Sequence, residues 1–351
     1  MVSPVHDVTR ADLSRHTTLR LGGPATRLAT ATHQDELVEF IRASADGYFV
    51  LAGGSNVVVA DAGVDATVVL VRSTGVLVTA AGPDEVLMTV EAGQPWDDVV
   101  AFCVIEGLSG IECLSGIPGS TGATPIQNVG AYGQEVAETI HSVRVLDRSV
   151  DAVLDLPPGE CGFAYRSSRF KHQDRFVVLA VTFRLRRDRL SAPIRYAELA
   201  RALDCDAGER VPLGLARSAV VALRAGKGMV LDPTDPDTNS VGSFFMNPVL
   251  PADDFAVLCN RAATQPPSWP AADGSVKVSA AWLIERAGFG KGYGGGHPGV
   301  AVSGKHTLAL TNRGTGSTAA LLALAREIRD GVRKSFDVEL RPEPVLVACS
   351  L

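Results

Sequence analysis

The stretch that most constrains this chain is a glycine-rich segment between two glutamates. Residues 113–134 read C-L-S-G-I-P-G-S-T-G-A-T-P-I-Q-N-V-G-A-Y-G-Q and carry no charged side chain. Pro118 and Pro125 argue against a regular helix, and the pattern has neither a helical nor a strand period. Glycines let another group approach the backbone closely. The segment therefore predicts a loop whose backbone N–H groups bind a phosphate-bearing or heteroaromatic ligand. The alternative, a long surface loop without a function, is less common inside compact domains.

Length, composition and charge limit the classes of protein to which this chain can belong. The chain has 351 residues, of which 46% are hydrophobic, so two or three domains with sizeable cores are expected. A net charge of −6 argues against a nucleic-acid partner. The N-terminus lacks the apolar run of a signal peptide, and two aspartates interrupt the apolar span 50–71, which predicts no membrane segment. Six scattered cysteines without a C-x-x-C pair predict reduced thiols in a cytoplasmic protein, with no metal site.

A second turn, G-G-S-N at residues 53–56, lies between two strand-like runs. The residues after it, V-V-V at 57–59, favour a strand. A Rossmann site needs a strand, glycines and then a helix, and neither G-x-G-x-x-G nor the phosphate-loop pattern ending in G-K-S/T is present. A dinucleotide bound here would be held by turns between strands. The alternative is an ordinary hairpin turn.

Hydrophobic periodicity elsewhere predicts a mixed chain of helices and strands. The predicted helices cover residues 34–45, 96–106, 211–224, 278–288 and 317–334. The predicted strands are short runs within 66–92, then 139–147, 176–186 and 307–312. The turn-rich stretch 226–239 is the predicted domain boundary.

Five segments, taken together and in order, resemble the UDP-N-acetylenolpyruvoylglucosamine reductase family. They are A-G-G-S-N at 52–56, G-I-P-G-S-T-G-A-T-P-I-Q-N-V-G-A-Y-G at 116–133, Y-R-S-S-R-F at 165–170, G-S-F-F-M-N-P at 242–248 and R-P-E-P at 341–344. The resemblance implies an α+β flavoprotein in three parts, with FAD-binding domains of the vanillyl-alcohol-oxidase type rather than a Rossmann domain. The expected parts are residues 1–73 with the C-terminal strand 343–351, residues 74–225, and a substrate-binding α+β domain at 226–342.

The resemblance implies a reaction in two halves. NADPH reduces a non-covalently bound FAD, and the reduced flavin passes a hydride to the enolpyruvyl ether of UDP-N-acetylglucosamine. The product, UDP-N-acetylmuramate, is a peptidoglycan precursor. A small nucleotide-sugar is then the partner, and nothing in the sequence demands more than a monomer. Two alternatives are an oxygen-using flavin enzyme of the same fold and a flavin- or nucleotide-binding module without catalysis.

The resemblance also assigns roles to individual residues. Arg166 would pair with the substrate carboxylate through two N–H donors, and Ser243 would be the proton donor. Glu343 would be protonated or shielded by Arg166, because a charged glutamate would repel that carboxylate. Tyr196, Lys227 and Asn247 are expected to contact substrate, although Lys227 lies a few residues earlier than the family's lysine. The expected FAD contacts are Gly53, Gly54, Ser55, Asn56, Ile117, Pro118, Gly119, Ser120, Gly122, Ala123, Gln127, Asn128, Gly130, Ala131, Tyr132, Gly133 and Val178.

One of these interpretations has a structural alternative, and one further residue is predicted to be structural only. The hydroxyl of Ser243 could merely form a cap or pack beside Phe244. Only the motif around Ser243 argues against this interpretation. His297, alone in a glycine-rich bend, is predicted to have a structural role.

Overall fold

The computed structural model describes residues 6–44, 47–271 and 273–351. Contacts between segments divide the chain into two compact units. Within the described residues, the first unit comprises 6–11, 25–54 and 65–230, and the second comprises 12–24, 55–64 and 231–351. The three-part division expected from the resemblance, with boundaries at 73/74 and 225/226, stays a prediction.

Two sheets form the frame of the first unit. The smaller sheet has the strand order His6–Asp12, Pro24–Ala31, Val64–Val71 and Tyr48–Leu51. The larger sheet has the order Ala152–Leu156, Ile140–Asp147, Phe176–Arg187, Glu85–Glu91 and Val76–Ala80, with Leu108–Ser109 also pairing with Phe176–Arg187. The central strand of the larger sheet, Phe176–Arg187, begins with six consecutive buried residues. A continuous apolar run is what a strand covered on both faces requires.

The helices of the first unit follow the hydrophobic pattern. Their bounds are Gln34–Ala43, Trp96–Glu106, Pro158–Cys161, Ala197–Leu203 and Leu213–Gly226. The helix Trp96–Glu106, which has the predicted bounds, buries Trp96, Val100 and Cys103 and ends at Gly107. The φ of Gly107 is 68°, a left-handed conformation that glycine adopts without steric cost.

The glycine-rich segment is more regular than its prolines suggest. It contains short 3-10 turns at Glu112–Leu114 and Thr121–Ala123 and one α-helical turn at Thr124–Gln127. The prediction of no helix was therefore wrong for this turn. Pro125 fits there because the first turn of a helix has no partner for the missing N–H. A tight pairing of Gly130–Ala131 with Gln134–Glu135 follows.

The second unit combines short sheets with three longer helices. The strand Val57–Val59 pairs in parallel with the C-terminal strand Val345–Val347. The predicted strand after the G-G-S-N turn is thus confirmed, whereas a hairpin is not, because the preceding strand Tyr48–Leu51 pairs with residues 67–70. The other strands are Val249–Leu250, Ser268–Pro270, Val276–Val278, Val300–Val302 and Leu310–Asn312, and the helices are Ala252–Ala262, Ala280–Arg286 and Thr318–Phe336.

The helix Thr318–Phe336 organises the core of the second unit. The Ser317 side chain accepts a hydrogen bond from Ala320 N and so caps its first turn. Leu321, Leu324 and Ile328 are fully buried, as the helical period predicts, and each contributes about 2 kcal/mol by leaving water. Two other predictions were too long. The helix predicted at 278–288 begins only after its cap Ser279, and the strand predicted at 307–312 covers Leu310–Asn312 alone.

Candidate active site

The two glycine segments that the sequence singles out touch each other in the first unit. A Cβ at residue 53 would lie 2.5 Å from Gly119 Cα, 2.9 Å from Gly119 C and 3.1 Å from Ser120 N. The first two distances are shorter than the contacts that a Cβ makes in proteins, so any residue other than glycine at position 53 would force the backbone to shift. A similar constraint holds the other end of the loop, where a Cβ at Gly122 would lie 2.5 Å from Ala92 Cβ.

Backbone N–H groups at this contact are available to a ligand. Those of Gly53, Ile117, Gly119 and Ser120 make no hydrogen bond to any residue that the structure describes. The remainder of the segment departs from the prediction, because many of its amides are used inside the fold. Thr121 N and Gly122 N, for example, donate to the carbonyl groups of Gln94 and Ala92 at 2.9 Å each.

The surroundings of these amides fit a cofactor that carries a diphosphate and a heteroaromatic ring. The polar side chains of the loop are uncharged, and they are buried at Ser115, Ser120, Thr121, Thr124, Gln127, Asn128 and Gln134. Uncharged donors at a turn can hold a phosphate group as a backbone nest does. Val178, also an expected contact, lies buried in the larger sheet, where it pairs with Val145.

Two carboxylates that the sequence analysis did not select hold the loop in place. Glu112 is 1% exposed, and it accepts hydrogen bonds from Gly110 N at 2.7 Å, Gln134 Nε2 at 2.9 Å and Ala192 N at 2.6 Å. Asp97 accepts from Gly116 N at 2.6 Å and forms a two-bond ion pair with Arg217. Burial opposes the ionisation of Asp97, but these donors outweigh it and hold the pKa of the carboxyl group below its usual value.

Arg166 lies on a four-residue turn, and its guanidinium group reaches the glycine-rich segment. Ala164 and Ser167 close the turn with two backbone hydrogen bonds, and the φ of Arg166 is 51°. Arg166 Nη2 donates to Gly130 O at 2.6 Å, and Nη1 lies 3.4 Å from Asn128 O. A Cβ at Gly130 would lie 2.9 Å from Arg166 Nη1. The loop and the predicted catalytic arginine therefore lie in direct contact.

Tyr132, Tyr196 and Lys227 form a second cluster in the first unit. The two tyrosine rings meet edge to face at 5.5 Å, and Lys227 Nζ lies 5.5 Å from the centre of the Tyr132 ring. Lys227 Nζ also donates to Glu198 Oε2 at 2.6 Å. Burial acts to lower the pKa of Lys227, but the bond to Glu198 outweighs it and the pKa is raised.

Arg224, which the sequence analysis did not select, adds a second cation to this cluster. Its Nη2 donates to Met229 O at 2.9 Å, whereas its buried Nε has no hydrogen-bond partner in the described residues. Burial lowers the pKa of Arg224 to about 10, so the guanidinium stays charged at neutral pH. An arginine and a lysine beside two tyrosines suit a ligand that is both anionic and aromatic.

The second unit places the segments that carry Ser243 and Glu343 side by side. The segment 243–246 is extended between two others: Phe244 N donates to Leu308 O at 2.7 Å, and Phe244 O accepts from Glu343 N at 2.8 Å. Phe244 and Phe245 are buried, with their rings 5.1 Å apart. Ser243 Oγ makes no hydrogen bond to a described residue, so its hydroxyl caps nothing.

Asn247 and Asn56 take part in the structure of the second unit. Asn247 Oδ1 accepts from Ala280 N at 2.9 Å at the start of a helix. Asn56 O accepts from Val345 N at 3.0 Å, next to the parallel pair of strands.

His297 Nε2 lies 2.9 Å from Glu327 Oε2, and Tyr293 donates to the other oxygen of that carboxylate, as the predicted structural role of His297 requires.

Comparison with known proteins matches two parts of the chain to domain families. Residues 25–153 match the FAD binding domain family, and residues 232–347 match the C-terminal domain of UDP-N-acetylenolpyruvoylglucosamine reductase. A protein of that name from Salinispora arenicola is 61% identical, over 99% of this chain and 98% of its own. The chain belongs to this reductase family. The protein of the same name from Thermobifida fusca is 55% identical to this chain, over 97% of both chains.

A solved reductase shares the fold. The UDP-N-acetylenolpyruvylglucosamine reductase of Thermus caldophilus superposes with a TM-score of 0.65 and 24% identity, covering 98% of this chain and 99% of its own. The family models and the curated relatives confirm the predicted family and FAD as cofactor, and the shared fold agrees with the predicted α+β flavoprotein class. Across the described residues, no helix combines the length and the apolar character that crossing a membrane would need.

Proposed function

We propose that the protein reduces UDP-N-acetyl-3-O-(1-carboxyvinyl)-glucosamine to UDP-N-acetylmuramate, with NADPH as the source of electrons. The observation that carries the proposal is the 61% identity to a reductase of that name over almost the whole of both chains. Support from the site comes from the amides at Gly53, Ile117, Gly119 and Ser120, which suit the diphosphate of FAD. When bound, FAD would supply the hydride for this reduction and would itself be reduced by NADPH.

Protein residues supply the remaining steps. Hydride addition to the terminal carbon of the enol ether leaves negative charge on the neighbouring carbon and its carboxylate. Arg166 pairs with that carboxylate, and Glu343 contributes a hydrogen bond, for which its carboxyl group must carry a proton in the complex. Ser243 then donates the proton that completes the reduction. A serine is a weak acid, but a carbanion-like centre is so basic that position matters more than acidity.

The decisive experiment follows the colour of the purified protein. We expect a yellow protein whose visible flavin absorbance is bleached by NADPH in the absence of oxygen. Adding the enolpyruvyl nucleotide-sugar should restore the colour at a rate matching turnover. Fast recolouring by oxygen with none by the sugar would instead make the protein a flavin oxidase, and a flavin that NADPH leaves unbleached would make it a binding module.

The ion pair between Lys227 and Glu198 leads to a prediction about substrate affinity. We propose that Lys227 binds the substrate diphosphate, so Glu198 competes for the same ammonium group at 2.6 Å. Glu198→Gln removes the competing charge, and we expect it to lower KM for the nucleotide-sugar by up to about 5-fold, since a half-exposed ion pair is worth about 1 kcal/mol. Lys227→Met should change KM in the opposite direction. Steady-state kinetics with both variants checks this, and an unchanged KM in both would remove Lys227 from the substrate contacts.

The proposed setting of the enzyme is the cytoplasm, where it would act as a monomer. All six cysteines, which lie within the described residues, are free thiols. Burial, together with the charge of Glu112, raises the pKa of Cys113 to about 12, so this thiol at the start of the glycine-rich segment is inert. Light scattering of the FAD-loaded protein measures the oligomeric state.

A further inference from the structure

The turn that carries Arg166 holds this residue in an unusual conformation. A φ of 51° is left-handed, which costs a residue with a side chain roughly 1–2 kcal/mol. Lys171 Nζ donates to Arg166 O at 3.0 Å, and the two bonds between Ala164 and Ser167 close the turn. The fold thus maintains a backbone conformation that directs the Arg166 side chain to the carbonyl groups of Asn128 and Gly130.

Asn128 connects those carbonyl groups to the arginine turn. Its own φ is 43°, a conformation that asparagine tolerates better than most residues, and it is 2% exposed. Its side-chain amide donates to Ala164 O at 3.1 Å, while Oδ1 accepts from Ala137 N at 3.2 Å. Rotation of the Asn128 amide would therefore break its bond to Ala164 O and loosen the turn from which the guanidinium projects.

Glu135 fixes the orientation of the Asn128 amide. Glu135 Oε2 accepts from Asn128 Nδ2 at 2.8 Å, and Glu135 lies opposite Gly130 in the short strand pair. A Cβ at Gly130 would be 2.9 Å from both Glu135 Cγ and Arg166 Nη1. The missing side chain of Gly130 thus allows the glutamate and the guanidinium to pack around one carbonyl group.

We infer that Glu135 is a positioning residue for Arg166. It acts through Asn128 and the carbonyl groups of residues 128 and 130, and it keeps the plane of the guanidinium in the orientation that pairs with a carboxylate. This inference rests on the proposed role of Arg166. A bidentate pair is sensitive to orientation, so a displaced guanidinium would retain its charge and lose much of its effect in the transition state.

The test separates the two half-reactions in the FAD-loaded enzyme. In Glu135→Ala, we expect NADPH to bleach the flavin at the wild-type rate and the nucleotide-sugar to recolour it about 10- to 100-fold more slowly. Glu135→Gln, which keeps an acceptor oxygen, should recover most of the rate. Glu135→Asp keeps the charge but shortens the side chain by one methylene, so its recolouring should also be slow. This variant replaces Glu135→Ala if the alanine variant does not fold.

A double-mutant cycle with Arg166→Lys tests whether Glu135 acts through the arginine. Adding Glu135→Ala to Arg166→Lys should slow recolouring no further, because the residue that Glu135 positions is already changed. Multiplicative losses would show that Glu135 acts otherwise and overturn the inference. Glu138→Ala is the matched control, since it removes an equal charge from an exposed ion pair with Arg195 and should leave both half-reactions unchanged.

The outcomes distinguish this inference from the proposed function. If Arg166→Lys itself recolours at the wild-type rate, the proposed role of Arg166 fails, and the inference fails with it. If Arg166→Lys is slow while Glu135→Ala and Glu135→Asp are both normal, the role of Arg166 stands and only the inference is overturned.

Discussion

Ser243→Ala is expected to lower the rate of flavin reoxidation by the nucleotide-sugar about 10³-fold, within the range typical of a lost general acid. Reduction of the flavin by NADPH should keep its wild-type rate, because no proton from Ser243 is needed in that half-reaction. The slow reoxidation is expected from the position of Ser243 in the second unit. Ser243 belongs to an extended segment hydrogen-bonded on both sides, and its hydroxyl bonds to no described residue. Stopped-flow measurement of the two half-reactions gives both rates.

The control for Ser243→Ala removes a hydroxyl with a purely structural task in the same unit. Ser317 caps the helix Thr318–Phe336, so Ser317→Ala should cost about 1 kcal/mol of stability and leave reoxidation unchanged. Ser243→Ala should show the reverse pattern, a normal melting temperature and slow reoxidation. Fast reoxidation in Ser243→Ala would remove Ser243 as the proton donor and return it to the packing role beside Phe244.

The glycine positions of the site could be predicted from the sequence because their physical requirement is local. Gly53 and Gly119 each lie in a turn that excludes a regular helix, and a residue without Cβ signals close approach of some other group. The sequence did not reveal that the approaching group at Gly53 is the other glycine segment, at 2.5 Å from the position of a Cβ. It also did not reveal which amides remain available, since that depends on acceptors such as Gln94 O and Ala92 O, more than 25 residues away in the chain.

The charged residues that support the site were harder to predict than those with an expected role in binding or catalysis. Glu112 and Glu135 appear in the sequence only as the flanks of an uncharged segment, and a charge at the edge of a loop is usually solvated. In the fold, Glu112 is buried with three donors, and Glu135 holds the Asn128 amide. Asp97 and Arg224 lie on helices where a charge every few residues is ordinary. Asp97 pairs with Arg217, 120 residues away in the chain, and Arg224 lies close to Tyr132. No periodicity reports such contacts.

Gly53→Ala is expected to yield protein that has lost most of its FAD, with an apparent Kd for the cofactor raised at least about 100-fold. The three atoms nearest to the added Cβ all belong to the backbone, at 2.5 Å and 2.9 Å for Gly119 and 3.1 Å for Ser120 N. A backbone cannot turn aside as the end of a side chain can, so the two glycine segments must separate. Separation moves the amides of Gly119 and Ser120 away from Gly53, and a diphosphate can no longer bond to all of them.

Flavin absorbance per mole of purified protein, together with titration of the FAD-free protein, measures this loss. Gly82→Ala is the matched control in the same unit, because a Cβ there meets nothing within 4 Å. An ordinary glycine-to-alanine change of that kind is neutral or stabilising by about 0.4–1 kcal/mol, and it should retain the full complement of cofactor. Far-ultraviolet circular dichroism separates loss of cofactor from loss of fold. A folded Gly53→Ala protein that purifies with stoichiometric FAD would mean that the close contact between the two turns does not create the cofactor site.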